Sequence, residues 1–381
     1  MFYVTNRVKR DFLATCESIT HGALRIRTPE GHVHDFGSGA LQGEMQINDW
    51  SVVTAAATRG DIGLGQAYVK GLWDSPSIKD VAEVGLRNLH HFHSYAHAGF
   101  FHSLKYSVAD RLLRPSGLLK GAKGQSIGNE FFQLWLDDGM SYSAALYSDD
   151  ISDLAGAQTN KNDRILGRLS DGDRLLEVGC AWGGFTEMAA EHGHEVTALT
   201  QSPGQKGYTD ARLDGRAEVM RGDHRSTQGQ FDNIVSIEAL ERLGPREWPA
   251  FFASLKNRLA EGGRIMLQSI VVPDDNLSRY LRSSDFFRQA MVPGGAALSR
   301  REISRQAGLA GLRMVDDFAF GLSYARTCSD WQTRLEAKTP RLNRMGFDDT
   351  FLRGWRYHLG AGSAAFAAGR ADVVQVELAH A

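Results

Sequence analysis

From Arg174 onward, short apolar runs alternate with longer stretches in which apolar residues recur every three or four positions. The runs Arg174 to Val178, Glu195 to Thr200, Ala217 to Met220, Asn233 to Ile237 and Arg264 to Ile270 are predicted as strands. Helical patterns lie between them, including Trp248 to Gly263, which glycines close. Strands alternating with helices predict an α/β fold, a parallel, doubly wound sheet with helices on both faces. Between Val271 and about Ser323 this pattern stops. A lid insertion marked by Pro293-Gly294-Gly295 is expected there, over the carboxyl edge of the strands, where such sheets bind ligands. Upstream, residues 1–89 read as a small mixed domain. Ala23 to Gly37 alternates apolar and polar positions around Pro29-Glu30-Gly31, a hairpin signal, and helical text follows Asp49-Trp50. Glycines break that periodicity between Gly60 and Asp74. The division expected is therefore 1–89, a connector over 90–126, and one domain over 127–381.

The connector carries Lys105, Arg111, Arg114, Lys120 and Lys123 against Asp110, interleaved with Phe100, Phe101, Leu104 and Tyr106. A basic amphipathic segment of this kind suits an anionic bilayer. A solvated linker helix has the same composition. Over all 381 residues, 43 Lys and Arg stand against 45 Asp and Glu, for a net charge of −2, so no global basic field points to nucleic acid. Cys16, Cys180 and Cys328 are far apart, show no metal-ligand spacing, and argue for a reducing compartment. No run approaches the roughly 18 apolar residues a membrane span needs, and none reads as a signal peptide. The expectation is a cytoplasmic protein whose membrane contact is peripheral.

The densest chemical signal is the first strand and its turn. Leu175-Leu176-Glu177-Val178 runs into Gly179-Cys180-Ala181-Trp182-Gly183-Gly184 and then a helical stretch. Gly179 and Gly183 let the backbone turn sharply beside a ligand, and the next helix offers its N-terminus. Glu177 places a carboxylate where it can face a cationic ligand. A dinucleotide site would want a glycine at Ala181 and an acid about 20 residues on. Here the second strand ends Thr200-Gln201-Ser202. The pattern looks like a class I S-adenosylmethionine methyltransferase rather than a nicotinamide enzyme.

With further motifs the chain resembles the cyclopropane-fatty-acid synthase family. These are Gly128-Asn129 to Asp137, Met140-Ser141-Tyr142-Ser143, Thr200 to Gln205, Phe231 to Ser236, Tyr324-Ala325-Arg326, Gly346-Phe347-Asp348, Trp355-Arg356-Tyr357 and Asp372-Val373-Val374-Gln375. Residues 1–89 look like the extra lipid-associated domain of the longer bacterial members. The resemblance implies S-adenosylmethionine bound by Tyr142, Ser143, Glu177, Gly179, Gly183, Thr200, Gln201, Gln205 and Asp223. Local readings stand beside these: Thr200 and Ser202 as a helix cap, and Asp223 as a turn residue. The implied substrates are unsaturated phospholipid acyl chains. The implied partners are a membrane surface, a homodimer mate and a downstream redox enzyme.

The departures from the family bear on the product. Its members hold a bicarbonate, taken as general base, with a Cys, a Glu, a His and a Tyr. Here Ala144 stands for the Cys and Gln268 for the His, while Glu241 and Tyr324 keep the other two positions. Glu241, Tyr324 and Gln268 are thus the expected catalytic set, and bicarbonate loses two of its four ligands. Methyl transfer to an alkene leaves a carbocation, which Phe131, Phe132, Trp135, Trp182 and Phe287 would face if they wall the site rather than fill core. Proton loss from the new methyl closes a cyclopropane. Loss from a neighbouring chain carbon gives a methyl-branched alkene, and a shift before the loss gives a methylene group. The altered base site favours a methyl- or methylene-branched acyl chain, on the route to methyl-branched or furan fatty acids. A cyclopropane synthase with a rearranged base site is the alternative, and a non-catalytic lipid-binding relative a further one.

Overall fold

The alternation around Pro29-Glu30-Gly31 folds as the expected hairpin. In the computed structural model, which describes residues 2–92, 127–290 and 294–381, β1 (Gly22–Arg27) and β2 (Val33–Ser38) pair antiparallel. Gly31 supplies the positive φ of 87° that their turn requires. With α1 (Phe2–Cys16) before them and β3 (Gln42–Ile47) after, the chain enters α2 (Ser51–Val69), β4 (Trp73–Asp74) and α3 (Ile78–Arg87). The four strands form one sheet in the order β2-β1-β3-β4. Gly60, at φ 59° and ψ −139°, kinks α2 where the sequence loses its helical period. Ser77 starts α3 by accepting from the backbone N–H of Asp80. The basic connector lies almost wholly outside the described residues.

After α4 (Asn129–Gln133) and α5 (Leu154–Leu166) comes the larger sheet. Its first half is β5 (Arg174–Val178), α6 (Gly184–Glu191), β6 (Glu195–Thr200), α7 (Pro203–Leu213), β7 (Glu218–Arg221) and β8 (Phe231–Ile237). Next are α8 (Trp248–Arg258), β9 (Leu259–Val271), α9 (Leu277–Arg282), α10 (Phe286–Ala290) and α11 (Arg300–Leu309). The chain ends with β10 (Leu312–Ala319), α12 (Gly321–Ala337), α13 (Thr339–Arg344), α14 (Asp349–Ala367) and β11 (Asp372–His380). The sheet has seven strands, ordered β10-β11-β9-β8-β5-β6-β7. All five expected strands are present and parallel.

Three expectations change. The sheet is mixed, because β11 inserts antiparallel between β9 and β10. The sheet pattern also resumes inside 271–323: β10 is an edge strand, and its Asp316 and Asp317 hide the alternation that marks a half-buried strand. Finally, α8 ends at Arg258 rather than running to the glycines, since buried Leu259 already pairs with Phe231.

The chain divides into two compact units: residues 2–92, 278–290 and 336–370, and residues 127–277, 294–335 and 371–381. The boundaries expected over 127–381 therefore shift. In the first unit α14 packs on α2 and α3. Its Tyr357 ring lies 6.0 Å from Tyr68, 6.4 Å from Trp73 and 4.8 Å from Phe286, and Arg353 donates to the carbonyls of Tyr68 and Trp73. The second unit centres on β5, β6, β8 and β9, with Leu175, Val196, Val235 and Met266 packed against Ile165 and Phe185. The site residues whose contacts are described below belong to it.

Candidate active site

The glycine turn opens from the carboxyl end of β5. Gly179, at φ 91°, and Cys180 both donate their N–H groups to the carbonyl of Leu199. Ala181 and Gly183 also have positive φ, and Gly183 leads directly into α6. A Cβ on Gly179 would stand 2.7 Å from that of Ala239, and one on Gly183 2.6 Å from Cγ2 of Thr209. Only glycine fits at either place, and the turn holds open the carboxyl edge of the sheet.

The other expected donor-site residues collect around this edge. Thr200 donates to Oε1 of Gln205 at 2.9 Å, and Ser202 caps α7 through the N–H of Gln205, so the capping reading of Ser202 holds. Gln201 is exposed. Asp223 shapes a turn by accepting from the N–H of Arg225 and pairs with that residue's guanidinium, which holds its carboxyl down at about 2. Glu177 is buried and accepts from Thr186; burial pushes it up to about 7. Tyr142 and Ser143 lie on the loop before α5. Lys161, which the sequence reading did not single out, donates to Ser143 Oγ at 3.0 Å. Burial lowers this lysine to about 8, against the opposing pull of Glu238, Asp137 and Glu177. A helix-like polar pattern masked it, since a lysine on a helix ordinarily faces water.

Glu238, also passed over in the sequence, holds the centre of the site. It follows β8 directly and has φ 50°, uncommon for a residue with a side chain. Its N–H donates to the carbonyl of Gln268 on β9 at 2.8 Å, pinning that conformation. The side chain accepts three hydrogen bonds: from Tyr324 Oη at 2.6 Å, from Gln268 Nε2 at 2.8 Å and from the N–H of Ala144 at 2.8 Å. Tyr324 and Gln268 are thus brought together as expected, but on Glu238 rather than on Glu241. Glu241 is buried apart, accepting from Ser269 Oγ and the N–H of Ile270 through one oxygen, while its Oε2 has no partner among the described residues. A surface pairing of Glu241 with Arg242 or Arg246 does not occur.

The two carboxyls differ in what surrounds them. Burial raises both, but on Glu238 the three donors and the charge of Lys161 oppose it. On Glu241 the charge of Glu238 adds to burial and pushes it up to about 8. Glu241, lifted to about 8, is neutral at pH 7, and Glu238 is the carboxyl whose surroundings favour the anion more. Bicarbonate does not fit beside them: the N–H of Ala144, the amide of Gln268 and the phenol of Tyr324 are already spent on a carboxylate of the chain itself.

Aromatic rings cluster around Tyr142. Phe132 contacts Trp182, Tyr142, Trp135 and Phe131, with centroids 4.9 to 5.8 Å apart where Trp135 meets Tyr142 and Phe131 as well. Trp331, which the sequence did not single out, joins Tyr142 at 5.0 Å to Tyr324 at 6.0 Å. The Phe287 side chain lies outside the described residues. No group of three or more His, Cys, Asp or Glu residues among those described could hold a metal.

The family model for mycolic acid cyclopropane synthetase matches residues 121–376. Tuberculostearic acid methyltransferase UfaA1 of Mycobacterium tuberculosis is 30% identical over 339 residues, 83% of this chain and 78% of that one. The cyclopropane-fatty-acyl-phospholipid synthase of Escherichia coli is 27% identical over 349 residues, 89% of this chain and 88% of that one. Among solved structures, mycolic acid cyclopropane synthase CmaA1 complexed with SAH superposes with a TM-score of 0.61 at 26% identity, covering 66% of this chain and 94% of its own. The glycine turn, the strand order and these matches agree: the chain belongs to the mycolic acid cyclopropane synthetase family and is an S-adenosylmethionine-dependent methyltransferase.

Proposed function

We propose that this enzyme methylates the double bond of unsaturated acyl chains in membrane phospholipids, and that Glu238 removes the proton the product must lose. The observation that carries this reading is the buried Glu238 carboxyl, held by three donors, two of them from Tyr324 and Gln268 at positions that the family resemblance gives to the base site. The relatives' names support the substrate: one is a tuberculostearic acid methyltransferase, the other a cyclopropane-fatty-acyl-phospholipid synthase.

S-adenosylmethionine supplies an electrophilic methyl on a sulfonium, with Tyr142, Ser143, Glu177, Gly179, Gly183, Thr200, Gln201, Gln205 and Asp223 as its proposed contacts. An alkene is a weak nucleophile, so the chain must place it in line and exclude water. The aromatic cluster from Phe132 to Trp331 provides that dry wall, and its ring faces stabilise positive charge on the acyl chain. Glu238 then accepts a proton at a carboxylate oxygen. Tyr324 and Gln268 orient that carboxylate, and Glu241 stays neutral behind it.

A base tethered to the protein takes protons from one fixed direction, whereas an ion can reorient. The proposed product is accordingly a methyl- or methylene-branched chain, formed by loss from a chain carbon or after a hydride shift. Either alkene would suit a redox enzyme acting next. Among the described residues no helix is long and apolar enough to cross a membrane. Substrate access is proposed to run through peripheral, salt-sensitive contact with anionic lipid, as the basic residues Lys105 to Lys123 suggest.

The cyclopropane, the branched alkene and the methylene chain are isomers, so mass alone does not separate them. Incubation with labelled methyl donor and vesicles of monounsaturated phosphatidylglycerol, followed by proton spectroscopy of the acyl chains, does. A labelled methyl on an alkene carbon or a labelled exocyclic methylene supports the branched product, and labelled upfield ring protons overturn it.

A further inference from the structure

The base carboxylate is oriented by an amide whose own direction is set two residues away. Gln268 on β9 and Gln375 on β11 are direct cross-strand partners in the antiparallel register. Gln375 Nε2 donates to Gln268 Oε1 at 3.1 Å, and to the carbonyl of Lys161 at 3.3 Å. On its other side Gln375 Oε1 accepts from Arg164 Nη1 at 3.1 Å. Arg164 lies on α5, with its guanidinium 4.3 Å from the centre of the Phe318 ring and 3.8 Å from Asp316. Both glutamines are essentially buried, at 1% exposure. An amide in such a place can turn end for end, and nothing intrinsic decides which end faces its neighbour.

A guanidinium decides it, because it donates and never accepts. Arg164 fixes the oxygen of Gln375 towards itself, which turns the Gln375 nitrogen to Gln268. Gln268 must then present oxygen to Gln375 and nitrogen to Glu238. Reversing the chain would set the Gln268 oxygen against the Glu238 carboxylate and the carbonyl of Ala144, an arrangement only a protonated Glu238 tolerates. We propose that Arg164 and Gln375 are positioning residues for methyl transfer: through one-way amide hydrogen bonding they make Gln268 a donor to Glu238 and so favour the base's anionic form. This rests on Glu238 being the base.

The test uses the full chain, labelled methyl donor and monounsaturated phosphatidylglycerol vesicles, with Gln375→Met, Arg164→Met and Arg164→Lys beside Glu238→Gln. Methionine keeps the length of glutamine and much of the apolar stem of arginine without directing an amide. Loss of an oriented donor to a charged acceptor is expected to lower kcat about tenfold on the acid limb of its pH profile. The acid limb of the kcat profile should move up by about one pH unit, so that activity returns as pH rises. The KM for lipid and the donor affinity should hold, and Arg164→Lys, still a pure donor, should recover the wild-type profile. A merely structural role would lower activity or stability without moving the limb. If Gln375→Met keeps the wild-type limb while Glu238→Gln is inactive, the positioning proposal falls and the base assignment stands. If Glu238→Gln retains wild-type turnover, the base assignment itself falls and takes the proposal with it.

Discussion

The donor turn and the base site lie on the same edge of one sheet, yet they are built in opposite ways. Residues 177–205 form the turn in one continuous β-α-β passage, whose glycines answer local demands: positive φ at Gly179 and Gly183, and no room for a Cβ beside Ala239 or Thr209. The base site takes Ala144 from a loop, Glu238 from the end of β8, Gln268 from β9, Tyr324 from α12 and Gln375 from β11. A site made by backbone geometry tolerates little change. One made by convergent side chains can exchange its chemistry while the fold stays put, and here the proposed base is a carboxylate of the chain, where the family resemblance implies an ion.

That contrast can be broken at several points. The largest effect is expected from Gly179→Val, which forces a branched side chain onto φ 91° and into Ala239. Calorimetry should find donor binding abolished, and near-normal affinity would detach the turn from the donor. Tyr324→Phe acts on the base site alone. It removes one hydrogen bond to a buried carboxylate, worth about 1.5–3 kcal/mol, so turnover should fall about tenfold or more with donor affinity unchanged. Equal losses in both would mean the two sites are not separable.

The smallest effect is expected from Glu241→Gln. A residue already neutral at pH 7 loses little when an amide replaces its carboxyl, and turnover should stay close to wild type, where the sequence alone pointed to its loss. Its signature is instead in stability. The folded-state value near 8 lies above the usual carboxylate value of 4.5, so the native state holds this proton more tightly than the unfolded chain. The associated stability is fully present below the unfolded value and is lost as pH rises towards 8. Thermal unfolding should show the variant gaining on wild type between about pH 5 and 8; parallel curves would mean that Glu241 is ionised throughout.

The sequence was legible where neighbours in the chain are neighbours in space. The hairpin at Gly31, the glycine turn and all five parallel strands could be read because period and turn chemistry are local. Glu238 could not, because its role depends on a φ of 50° and on partners from three other elements. Glu241 took its place in the reading through a matching motif, though the fold turns that side chain towards Ser269. Gln375 stood in a recognised motif with no role attached. Its meeting with Gln268 requires β11 to insert antiparallel beside β9, a topology that no apolar pattern announced.

The central claim is that a carboxylate of this chain has become the base, and the paired measurement of turnover and donor affinity in Glu238→Gln tests it most directly. Glutamine keeps the size of the side chain but accepts no proton at neutral pH. Loss of a positioned general base should cost about 100-fold or more in kcat, with S-adenosylmethionine affinity preserved and no rescue by rising pH. Turnover within a few-fold of wild type would contradict the claim.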